Sequence, residues 1–138
     1  MAKFEYSGTE EIEAKLQAMD RDMIRGIVMA GAEACKKEMQ AAIGQYRHVK
    51  TGSMQQSVAP AQYHESYGSG WVDVYPQGND SRGVSNAMKA FVINYGYGGR
   101  KTKKTGDKFI TGNQKRMEQG VFTAMQAESD RRLAEINK

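Results

Sequence analysis

Residues 57–75 read SVAPAQYHESYGSGWVDVY, and this stretch decides the fold class. Val58, Pro60, Gln62 and His64 alternate with Ala59, Ala61 and Tyr63; Ser66-Tyr67-Gly68-Ser69-Gly70 interrupts; Trp71-Val72-Asp73-Val74-Tyr75 resumes the pattern. A period of two places successive side chains on opposite faces of an extended chain, and a glycine- and serine-rich break between two such runs is a hairpin turn. A β-hairpin is expected here.

Upstream the period is helical. Ile12, Leu16, Met19, Met23, Ile27, Ala30, Ala34, Met39 and Ala42/Ile43 recur mostly three or four apart, as one helix face requires. Thr9 is a candidate cap, with Glu10, Glu11 and Glu13 at the positive end of the helix dipole and Gly44 as a stop. The reading is helix from about Thr9 to Ile43. It is either one helix or two with a break near Asp20, and Gly26 and Gly31 each weaken its interior by roughly 1 kcal/mol relative to alanine. Ahead of it, Lys3-Phe4-Glu5-Tyr6 alternates as a short strand with Phe4 and Tyr6 on one face.

Downstream, Pro76 to Gly83 reads as a polar loop, and Asn86 to Gly96 as a short helix or a strand; Asn86 as a cap and Gly96 as a stop favour helix at its start, with Phe91 to Tyr95 extended. Residues 97–108 read as a Gly/Lys/Thr loop, and Thr111 to Ile136 as a final helix with Met117, Val121, Ala124/Met125 and Leu133/Ile136 on one side. The order implies a single α+β domain over residues 1–138: an antiparallel sheet with a long N-terminal helix, one piece or two, and a C-terminal helix packed on it.

The chain has 138 residues, 20 of them Lys or Arg against 16 Asp or Glu, a size suited to one domain. The net charge of +4 is uneven: residues 1–69 carry −1, and residues 99–116 alone carry +6 through Arg100, Lys101, Lys103, Lys104, Lys108, Lys115 and Arg116 against Asp107. A negatively charged partner suits that segment. No run approaches the ~20 apolar residues of a membrane span, and the first residues, MAKFEYSGTEEIEAK, lack the pattern of a secretory signal, so synthesis in a cytoplasm is expected. One cysteine, Cys35, excludes an internal disulfide framework.

Catalytic chemistry finds few ingredients. Only His48 and His64 offer a base; Gly68-Ser69-Gly70 lacks the G-x-S-x-G spacing and fits a tight turn. Cys35 reads as a small buried hydrophobe, and the histidines and cysteine have no metal-ligand spacing. Asp20, Asp22, Asp73 and Asp80 read as solvated charges rather than a cation loop. Gly98 to Lys108 has the composition of a phosphate loop, but Asp107 follows Gly106 where a Walker loop needs lysine. Neither an enzyme nor a cofactor is expected, and a structural or binding module is.

Three segments in order carry a resemblance. Thr51-Gly52-Ser53-Met54-Gln55-Gln56-Ser57-Val58 resembles the "TG, any residue, large apolar, two residues, Ser, apolar" signature that follows the first helix of the HK97 gp10-like proteins of tailed bacteriophages. Ala90-Phe91-Val92-Ile93-Asn94-Tyr95-Gly96 resembles the family segment in which an apolar strand or helix ends in Asn or Glu, an aromatic and glycine, here Asn94-Tyr95-Gly96. Asp107-Lys108-Phe109-Ile110 and the run from Met117 to Leu133 resemble its apolar landing and C-terminal helix. The resemblance implies a structural protein of a phage or prophage virion, a tail-completion or head-to-tail joining component. It would form a ring, expected to be hexameric, between the tail tube and the head-closure or connector proteins, after assembly in the bacterial host cytoplasm. Thr51, Gly52, Met54, Ser57, Tyr95 and Gly96 would then be structural, while Arg100, Lys101, Lys103 and Lys104 would face DNA non-specifically or an acidic connector surface. The alternative is a small nucleic-acid-binding domain that uses residues 100–116.

Overall fold

The computed structural model describes residues 9–45, 52–66, 68–98 and 103–136. The chain runs α1 (Thr9–Gly44), α2 (Ser53–Gln56), β1 (Val58–Pro60), β2 (His64–Ser66), β3 (Ser69–Trp71) and β4 (Val74–Pro76). It continues through α3 (Asn86–Tyr95), β5 (Gly96–Gly98), β6 (Lys103–Thr105), a 3-10 turn (Thr111–Asn113) and α4 (Gln114–Ile136). The fold is α+β, as its periodicities imply. The candidate strand at Lys3–Tyr6 lies outside the described residues.

α1 is one helix of 36 residues, continuous through Asp20. Its two weak positions are where α4 comes closest. A methyl group at Gly31 would lie 2.8 Å from Met125 Cγ and 3.2 Å from Val121 Cγ1, and one at Gly26 would meet the Arg132 guanidinium. The glycines give up helix propensity for close contact between helices. Arg132 Nε donates in turn to Glu128 Oε1 at 2.8 Å, and Arg131 reaches the same carboxylate at 2.7 Å.

The sheet consists of narrow antiparallel ribbons rather than one layer. β1 pairs with β4 (Val58 opposite Pro76), and β2 with β3 (His64 opposite Trp71). The two ladders belong to one hairpin but differ in register by one residue. Ala61 N–H donates to Asp73 C=O at 2.8 Å, so Gln62 and Tyr63 stand against Val72 alone, a bulge that interrupts the ladder and twists it. A side chain on Gly70 would collide with the Tyr63 ring, which occupies its place. The third ribbon pairs β5 with β6 across residues expected to form a loop; main-chain pairing needs no apolar pattern, so composition did not reveal it.

The core sits at one end of the molecule. Met39, Ala42 and Ile43 of α1 meet Val58, Ala90, Phe109 and Met117, with Cys35, Met54, Val74, Ile93 and Ile110 packed around them. α3 remains helical through Tyr95, contrary to the expected extension from Phe91. Ala90 and Asn94, four apart, are both buried, and this spacing puts them on one helix face. Ser85 caps the helix by accepting from Met88 N–H at 3.3 Å, leaving Asn86 buried and donating to Gln77 C=O at 2.9 Å. α4 starts at Gln114, after the short 3-10 turn, rather than at Thr111.

Candidate interaction surface

The first motif builds a joint. Thr51 lies outside the described residues. Gly52 has φ 72°, the left-handed conformation that favours glycine, and leads into α2. Met54 packs against the core, and Ser57 Oγ donates to Met54 C=O at 2.8 Å, closing the turn before β1. Gln55 adds a clamp: its Nε2 donates to Gln40 C=O at 2.9 Å, while Gln40 Nε2 donates to Gln55 C=O at 3.2 Å. These four residues dock the hairpin onto the C-terminal end of α1.

The second motif builds another. Gly96 (φ 81°) turns the chain out of α3 into β5, and Tyr95 is 61% exposed, tilted against Phe91 with ring centroids 4.9 Å apart. Asn94, part of the motif but given no role of its own, does more. Its Oδ1 accepts from the N–H groups of Ile110 and Thr111 at 2.9 and 3.1 Å, while Asp107 N–H and Lys108 N–H donate to Ile93 C=O and Asn94 C=O. The end of α3 is thereby tied to the start of the C-terminal helical segment. Asp80 is also more than a solvated charge. It accepts from Arg82 N–H, Val84 N–H and Lys89 Nζ, and these bonds, Lys89 foremost, lower its carboxyl pKa to about 2.

The basic segment is dispersed in its described part. Arg100 and Lys101 lie outside the described residues; Lys103 and Lys104 lend their backbone to β6, opposite Gly98 and Tyr97. Lys108 and Lys115 are exposed, and Arg116 Nε pairs with Glu38 at 3.2 Å. His64 stacks on Trp71 at 5.6 Å, and His48 lies outside the described residues. Among the described residues no group of three or more His, Cys, Asp or Glu is placed to hold a metal ion, and no helix is long and apolar enough to cross a membrane.

The feature that stands out is an apolar surface. Met88, Phe91 and Tyr95 form an exposed stripe along α3, and Phe122 on α4 is 68% exposed. Tyr95 and Phe122 line a groove of about 490 Å³ with Ile110, Met117, Val121 and Met125. Cys35, Val121 and Met125 continue from its floor into a cleft of about 340 Å³ beside the hairpin, walled by residues 70–74. Together they make a trough on the α1/α4 pair, between the β3–β4 strand and the end of α3. Cys35 is half-buried on this floor, and burial raises the pKa of its thiol. Sequence reasoning assigned Met117, Val121 and Met125 to a helix face but missed the trough, because an apolar stripe does not reveal how much of it the sheet covers.

Comparison of the chain with protein-family models, curated proteins and solved structures finds no match.

Proposed function

We propose that the chain is a structural subunit of a tailed-phage or prophage virion, completing or joining the tail at the head–tail interface by assembling into a ring. The observation that carries this reading is the contiguous apolar surface of Met88, Phe91, Tyr95 and Phe122 opening onto the trough. Scattered exposed apolar residues are ordinary, whereas apolar side chains that adjoin one another beside a groove mark interaction sites. The surface suits assembly with copies of itself and with the tail-tube and head-closure proteins; the order of the three sequence motifs supplies the virion context.

The test is sedimentation of the purified chain over a concentration series, together with its detection at the head–tail junction of purified particles. A ring-sized species or a place at the junction supports the reading; a strict monomer absent from particles overturns it. Binding to duplex DNA that weakens steeply with salt, without self-association, would instead favour the nucleic-acid-binding alternative.

A further inference from the structure

We propose that the trough receives residues 3–6 of a neighbouring copy as an added strand along the β3–β4 edge, so that the ring is laced by exchanged N-terminal arms. The inference rests on the ring reading and names the contact that would build it.

One wall of the trough is an open sheet edge. The cleft is lined by five consecutive residues running from β3 into β4, Gly70, Trp71, Val72, Asp73 and Val74, and by none of the residues paired with them. In the β1–β4 ladder Asp73 C=O accepts from Ala61 N–H, so Asp73 faces its partner strand; by alternation the N–H and C=O of Val72 and Val74 point away from it, towards the trough. Pro76, which has no N–H to offer, ends this edge. An extended segment laid here would find main-chain partners on one side and an apolar floor of Cys35, Val121 and Met125 beneath.

A segment of this chemistry exists in the chain. Lys3-Phe4-Glu5-Tyr6 puts two aromatic side chains on one face and two charges on the other, as a strand over an apolar floor requires. Its own trough is out of reach. Thr9 starts α1, and the nearest α1 residue of the trough, Val28, lies ~28 Å further along the helix. From Thr9, Tyr6 reaches at most ~10 Å and Phe4 ~17 Å even when fully extended. The arm that fills the trough therefore comes from another molecule.

Cys35 on the floor allows a trap in the full-length chain. Tyr6→Cys and, separately, Phe4→Cys are oxidised and run on a non-reducing gel, with Glu5→Cys as the opposite-face control. The expected result is covalent multimers from the first two, several-fold more than from Glu5→Cys, and lost when Cys35→Ser is added. A disulfide closed within one chain, or equal yields on both faces, overturns the proposal. If the wild-type chain sediments as an oligomer but neither variant links, the arm placement fails and the ring reading stands. A chain that remains monomeric and unlinked, and is absent from purified particles, sinks both. A ladder that stops at dimers upholds arm exchange and overturns the ring.

Discussion

Asn94 Oδ1 accepts a hydrogen bond from the backbone N–H of Ile110 at 2.9 Å, joining the last turn of α3 to a segment sixteen residues further on. The residue is 1% exposed, so its side-chain oxygen, held away from water, depends on this bond and the one from Thr111 N–H. Asn94→Ala leaves both donors unpaired, and each buried unsatisfied group costs roughly 1–3 kcal/mol. A loss of about 2–4 kcal/mol is expected, seen as a lower urea midpoint with an unchanged slope.

Gly106 backs against the Asn94 carbonyl of the same junction, and a methyl group there would strike backbone that cannot swing aside. Gly106→Ala is expected to destabilise by about 2 kcal/mol, whereas Gly112→Ala, which meets nothing within 4 Å, should change stability by less than about 0.5 kcal/mol. Thermal melts of the two variants check the contrast.

Gly26 and Gly31 should respond to alanine with opposite signs. Both gain about 1 kcal/mol of helix propensity. At Gly26 the obstacle is the end of the Arg132 side chain, which can move, so Gly26→Ala is expected to be neutral or slightly stabilising. At Gly31 the obstacle is Met125 and Val121 in the buried helix contact, and Gly31→Ala should destabilise by about 1 kcal/mol net. Denaturant titration of both variants reads the sign directly.

Asp80 and Glu128 both have folded pKa values lowered to about 2, the first chiefly by Lys89 and the second by Arg131 and then Arg132. In the unfolded chain each titrates near the usual carboxylate value of about 4. Between these values the unfolded state binds more protons, so stability rises with pH. The contribution is present above about pH 4 and is lost as pH falls towards 2. Asp80→Asn and Glu128→Gln should each flatten the decline in melting temperature over that window and leave the profile above it parallel to wild type.

Phe91→Glu combined with Phe122→Glu should leave the melting temperature nearly unchanged, since both side chains are exposed, and should abolish self-association. Circular dichroism and sedimentation together make the measurement. An intact oligomer from this variant would count against the apolar surface as an assembly contact.

The long first helix, the hairpin and the final helix were legible because each rests on a repeating apolar pattern that the core then uses. The register shift at Gln62 and Tyr63 was not, since alternation continues through a bulge without a change in residue type. Phe91 to Tyr95 carries both β-forming side chains and a helical spacing, and only the bonds of Asn94 to a distant segment decide between them. For the site, Gly52, Met54 and Ser57 were legible as a local turn with its own hydrogen bond. The trough was not, because it is defined by the strand that the hairpin lacks. The reach of Asn94, Asn86 and Asp80 was hidden for a related reason: a polar residue's spacing in sequence says little about which distant backbone group it will serve.

The 36-residue α1 extends ~54 Å, yet among its described side chains the buried ones fall between Gly31 and Ile43. Further towards its start the contacts of α1 are polar and peripheral: Arg21 pairs with Glu65 at 3.2 Å, Arg25 lies over the Tyr63 ring, and the Arg132 guanidinium of α4 rests against Gly26. Amide hydrogen exchange along α1 should follow a gradient: slow at Met39 and Ile43, where opening requires global unfolding, and faster by orders of magnitude towards its start. Fraying that begins at the start of α1 can therefore proceed without disturbing the hydrophobic centre at Met39 and Ile43.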